Sequence, residues 1–188
     1  MYRRLIVVLV FLFAVALLHA QESAPAQTEQ YSATAFITSG AAQGKSVGIT
    51  IYINSYTTDE EGQNFLQVLK TQGQDGLEKA FDKTPERGRV AIIGTTGNTI
   101  SYVRQRPAET KRTVRMATNR TISFPELWAS PRSRDYKFGI IELRLDADGN
   151  GEGTLLYATK IKFNKKGELE LEHYGQSPVR LANVRRQK

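Results

Sequence analysis

The stretch TKIKFNKKGELELEH, residues 159–173, decides how this chain folds. Apolar and charged residues alternate on both sides of Asn164-Lys165-Lys166-Gly167, and a period of two marks strands with one wet face. A three-residue loop, Lys165-Lys166-Gly167, with Gly167 in the left-handed conformation, fixes the register of the hairpin. Phe163 then faces Leu169 and Ile161 faces Leu171, while Lys162 meets Glu170 and Lys160 meets Glu172. One face is predicted to be apolar, the other a ladder of opposite charges. His173 falls opposite Thr159 on the apolar face, where a lone histidine is expected to be packed and hydrogen-bonded.

The same alternation recurs outward from the hairpin. Strands are predicted over Tyr31–Thr38, Ser46–Tyr56, Arg89–Ile93, Thr99–Arg104, Thr113–Thr118, Tyr136–Leu145, Thr154–Phe163, Glu168–Tyr174 and Val179–Val184. Residues 119–131, with Trp128 among them, read as irregular. Between the second and third strands the period changes. Thr58-Asp59-Glu60-Glu61 fits a capping box, followed by Phe65, Leu66 and Leu69 at helical spacing. Gly73 and Gly76 interrupt, and a shorter helix with Leu77, Ala80 and Phe81 on one face ends before Pro85. The fold class is therefore α+β but β-rich. An antiparallel sheet forms a sandwich or partly open barrel, with two short helices after the second strand.

The N-terminus carries a different signal. Arg3 and Arg4 precede an apolar run, Leu5–Leu18, and a small residue, Ala20. A basic start, a short apolar stretch and a small residue at the cut describe a secretory signal peptide. The run is shorter than the roughly 20 residues that cross a bilayer. Residues 1–20 are read as the leader, 21–30 as a disordered spacer and 31–188 as one β-rich domain, so no transmembrane segment is expected after cleavage. The expected destination is secreted or periplasmic.

Composition narrows the chemistry. The chain has no cysteine, which removes a disulfide framework, thiolate catalysis, Cys-bound zinc and iron–sulfur clusters. Loss of the leader takes His19 and leaves His173 as the remaining histidine, too few for a histidine zinc cluster. The same loss removes Arg3 and Arg4, leaving 24 Lys+Arg against 19 Asp+Glu, a net charge of +5.

Several stretches imitate functional motifs. Asp146, Asp148 and Asn150, with Gly151 following, match the first half of a calcium loop. Position 12 of that loop would be Tyr157, where a bidentate Glu belongs. A hairpin connection is the simpler reading, a weak calcium site the alternative, and no cofactor is expected. Gly40-Ala41-Ala42-Gln43-Gly44-Lys45-Ser46 resembles a phosphate loop but is one residue short between its glycines and is followed by strand, not helix. Asn119-Arg120-Thr121 fits a glycosylation sequon.

The basic residues cluster. Arg104, Arg106, Lys111, Arg112, Arg115 and Arg120 lie within 17 positions, and Arg180, Arg185, Arg186 and Lys188 form a second group. If the first group converged, it would attract a polyanion such as an anionic envelope component. Sparse aromatics in that segment argue against nucleic acid. The leading expectation is an exported, non-enzymatic envelope or secreted module that binds a ligand or partner protein. The alternatives are a hydrolase using His173 or carboxylates such as Glu126 and Glu142, and a structural component of an envelope assembly.

Overall fold

A computed structural model describes residues 28–39, 43–108, 110–120, 122, 136–173 and 177–188. Among these, ten strands and one helix follow in the order β1 (Glu29–Phe36), β2 (Ser46–Ile53), α1 (Asp59–Asp82), β3 (Gly88–Ile92), β4 (Asn98–Ile100), β5 (Tyr102–Pro107), β6 (Arg112–Thr118), β7 (Phe138–Leu145), β8 (Gly151–Phe163), β9 (Leu169–His173) and β10 (Val179–Arg186). The predicted leader, residues 21–27 of the predicted spacer, Gly40–Ala42, Thr121, Glu126, Trp128 and Tyr174 lie outside the described residues.

All strand pairs are antiparallel, in the order β4-β3-β2-β1-β10-β8-β7-β6-β5. The two ends of this sheet, β4 and β5, are separated in sequence by Ser101 alone. Ser101 N–H donates to the Ala117 carbonyl at 3.1 Å. One bent segment, 98–107, therefore pairs with β3 by its first half and with β6 by its second. The sheet curls into a nearly closed barrel of eight staves, with β4 and β5 counted as one. That closure selects the barrel over the sandwich.

Period-two alternation sorts side chains to the two faces of the wall. Ile49, Ile51 and Ile53 of β2 point inward with Val114 and Met116 of β6 and Leu143 and Leu145 of β7, all buried. The outer face of β5–β8 is covered by α1. Phe65, Leu69, Leu77 and Phe81 of the helix pack on Ala117, Phe138 and Ile161. Edge-on ring contacts tie them down: Phe65 to Phe81 at 5.0 Å, Phe81 to Phe138 at 5.8 Å and Phe65 to Tyr102 at 6.3 Å. Each such pair adds about 0.5–1.5 kcal/mol beyond area burial.

The two short helices expected after β2 are one helical element, α1, broken at Gly73 (φ 68, ψ −163). The break has a geometric cause. The buried stripe runs 65, 69, 77, 81, and four-residue steps on a helix of 3.6 residues per turn drift about 40° each. Without a break, Phe65 and Phe81 would be about 24 Å apart along the axis and on different faces. Their rings instead touch, because Gly73 folds one half of α1 toward the other. The predicted capping box is present: Glu61 N–H donates to Thr58 Oγ1 at 3.2 Å, and Thr58 N–H donates to Glu61 Oε2 at 2.8 Å.

Candidate functional site

The lumen of a barrel is the first place to look for a ligand, and here it is core. At one end it is also closed by polar side chains. Glu29 and Tyr31 point inward from β1, which begins two residues earlier than the sequence suggested. Arg112, the first residue of β6, reaches them from the opposite stave. Its Nη1 donates to Glu29 Oε1 (3.3 Å), Tyr56 OH (3.3 Å) and Gln105 Oε1 (3.0 Å), and its Nη2 donates to Glu29 Oε2 and Tyr31 OH (both 2.5 Å). The Tyr31 hydroxyl donates to Glu29 Oε2 and the Tyr56 hydroxyl donates to Glu29 Oε1 at 2.7 Å.

Burial alone would raise the Glu29 pKa, but the hydrogen bonds from Arg112, Tyr31 and Tyr56 and the Arg112 charge outweigh it, and the carboxyl is held below its ordinary range. Burial and the adjacent Glu29 carboxylate push both phenols above theirs. Both oxygens of Glu29 are doubly engaged, so nothing here is poised to take a proton from a substrate. The cluster is a plug.

The fold does not gather all six basic residues in one place: Arg104, Arg106 and Arg115 share the outer face of β5 and β6, and the other three lie elsewhere. Arg112 is the plug cation, pointing inward. Lys111 and Arg120 flank β6 at its two ends, about 30 Å apart along an extended chain. Arg104 and Arg115 are cross-strand neighbours on the outer face, each with a carboxylate: Arg104 with Asp59 at 2.5 Å and Arg115 with Glu142 at 2.7 Å. Arg106 is exposed and has no ion pair among the described residues. The same pairing occupies Glu142, one of the carboxylates considered for catalysis.

The calcium-like stretch is a hairpin between β7 and β8. Asp146 Oδ1 accepts the N–H groups of Asp148 (3.0 Å) and Asn150 (2.8 Å), so a would-be ligand oxygen holds the turn. Among the described residues no three His, Asp or Glu side chains are gathered in a way that could hold a metal ion. Ser46 opens β2, so the phosphate-loop imitation leads into a strand.

The deciding hairpin has the register read from the sequence, from Phe163 opposite Leu169 to Thr159 opposite His173. Gly167 has φ 77. Its surroundings differ from the expectation. The apolar face of β9 is not buried: Leu169 is 50% exposed and Leu171 41%. His173 is exposed rather than packed. The free edge of β9 follows from the length of β8. Its first part, Gly151–Leu155, pairs with β10 and its last part, Thr159–Phe163, pairs with β9 along the same edge. The strand beside β10 is β1, which turns back through Ile37 and Gly44 before reaching β9. Past the rim, β9 has no outer neighbour among the described residues.

The ladder also shows which backbone groups face out. Asn164 N–H donates to the Glu168 carbonyl at 2.9 Å. Alternation then aims Glu170 and Glu172 toward β8 and turns the N–H and C=O of Leu169, Leu171 and His173 outward. The far edge of β8 obeys the same alternation: Ile161 N–H points away from β9 and is met by Gln74 Oε1 at 3.1 Å. An exposed strand edge with two leucines beside it is a template for another strand. Sequence reasoning assigned Leu169 and Leu171 to a buried face. What exposes them is that the cluster under α1 takes in Ile161 and Phe163 of β8 but stops short of their β9 neighbours. No known protein family matches this chain, and neither a curated protein nor a solved structure does.

Proposed function

We propose that this chain is an exported, non-enzymatic binding module that engages a partner protein along the free edge of β9, not a small molecule in its lumen. One observation carries the reading: the backbone N–H and C=O of Leu169 and Leu171 face away from β8 with no partner among the described residues, beside their own exposed side chains. Strand addition to such an edge is a common mode of polypeptide recognition. The packed lumen and the Arg112–Glu29 plug argue against an internal ligand. The leader-like residues 1–20 support export to a secreted or periplasmic location.

The test is a photo-crosslinking residue in place of Leu169, introduced in the producing cell. The expected result is a discrete protein adduct that is lost when Leu171→Pro is added, with no such adduct from Thr34 on the barrel wall. Native mass spectrometry of the recovered protein should show no small molecule released on denaturation. An adduct indifferent to Leu171→Pro, or an apolar molecule carried in the barrel, sinks the reading.

A further inference from the structure

Resting on that reading, we infer that the segment docking on β9 is an extended strand alternating basic and apolar residues. The argument is charge complementarity along the edge. Glu168, Glu170 and Glu172 share one face of β9, and Leu169 and Leu171 share the other. Of the two β8 lysines on that face, Lys160 makes no ion pair among the described residues. Lys162 pairs with Glu172 at 2.5 Å, diagonal to its direct neighbour Glu170, and Tyr136 OH donates to Glu172 Oε1 at 2.7 Å. Among the described residues the Glu168 side chain accepts only the Asn164 amide, at 2.9 Å. Glu170, in the middle of the strand, has no ion pair among the described residues and is exposed.

Pairing with a second copy of β9 is disfavoured. An antiparallel pair centred on Leu171 sets Glu170 against Glu172, and a pair centred on Glu170 sets it against itself. Parallel in-register pairing stacks every glutamate on its counterpart. Like charges directly opposite destabilise a ladder. A strand carrying Lys or Arg at alternate positions instead continues the order basic, acidic, basic across β8, β9 and the newcomer. Its apolar residues fall beside Leu169 and Leu171, extending the layer in which Ile161 and Phe163 already lie under α1. Five residues of β9 span about 16 Å, so a segment of about five to seven residues fills the edge.

The experiment titrates two synthetic eight-residue peptides, one alternating Val and Lys, one alternating Val and Glu, into the exported protein, followed by amide resonances. The Val/Lys peptide should perturb Leu169, Leu171 and His173. It should bind about tenfold more tightly than Val/Glu, the ratio expected from two or three cross-strand charge pairs. Leu171→Pro removes an outward N–H that the β8 ladder does not use, and should abolish binding. Glu170→Lys keeps every backbone group and should weaken Val/Lys about tenfold. Equal binding of both peptides at β9 overturns the charge inference and leaves docking on β9 standing. No perturbation of β9 by either peptide overturns both.

Discussion

Arg112 reaches across the barrel lumen to Glu29, a residue 83 positions earlier in the chain and on the diametrically opposite stave. The pair joins two strands that share no ladder. Removing one partner leaves the other charged and largely buried, the costly way to break such a pair. Arg112→Ala is expected to destabilise by about 3 kcal/mol. Glu29→Gln combined with Arg112→Met should recover much of that loss, since no lone charge remains. Urea unfolding of the three proteins checks this. A single substitution costing less than about 1 kcal/mol would mean the plug is ornamental.

The same cluster sets the pH limits of the fold. The Glu29 carboxyl is held below the ordinary value of 4.5, so it stabilises the fold above that pH. The stabilisation is lost as pH falls through 4.5 toward the folded value. Glu61 acts in the same direction, through the Thr58 backbone N–H and Arg87, although it is more exposed. At the alkaline end the sign reverses. Tyr31 and Tyr56 are raised above 10.0, so their contribution is complete below that pH and drains away above it. The melting temperature should fall on both sides, with Glu29→Gln flattening the acid limb. Tyrosinate absorbance should show late-ionising phenols, Tyr31 and Tyr56 together with Tyr102, which burial also raises. Late ionisation that does not diminish in Tyr31→Phe/Tyr56→Phe, beyond the Tyr102 share, would refute the assignment.

Gly73 lets one helical element fold back on itself. Its φ and ψ fall in a region open essentially to glycine. A Cβ added there meets nothing within 4 Å, so the cost of Gly73→Ala is backbone strain without a clash, about 1–3 kcal/mol. Thr58→Ala removes the helix cap at about 1 kcal/mol. Chemical denaturation ranks the two. A neutral Gly73→Ala would show that α1 tolerates a straighter path and that the Phe65–Phe81 contact is dispensable.

Local rules were readable and long-range placement was not. The β8–β9 register followed from alternation plus one glycine turn, and the Thr58–Glu61 cap from four residues. The inward turn of Arg112 was also written in the sequence: it stands two residues before Val114 and four before Met116, on the face that alternation buries. Its basic neighbours Lys111 and Arg115 disguised it. Glu29 is likewise in phase with Tyr31, Ala33 and Ala35, but it lay in a stretch whose small polar residues resembled a spacer. The exposure of β9 had no local signal at all. It depends on where the cluster under α1 stops, and α1 lies far earlier in the chain.

The pairing of β1 with β10 sets Tyr31 opposite Arg186, and Gln187 N–H donates to the Gln30 carbonyl at 2.8 Å. Both ends of the described chain thus emerge side by side at the plugged rim, while β9 overhangs the other. Strands of eight residues, about 26 Å long, run between the two rims. On the proposed reading the plugged rim is a handle and the β9 end does the binding. A carrier, label or surface holding it by Thr28 or Lys188 leaves β9 at the opposite rim, facing away.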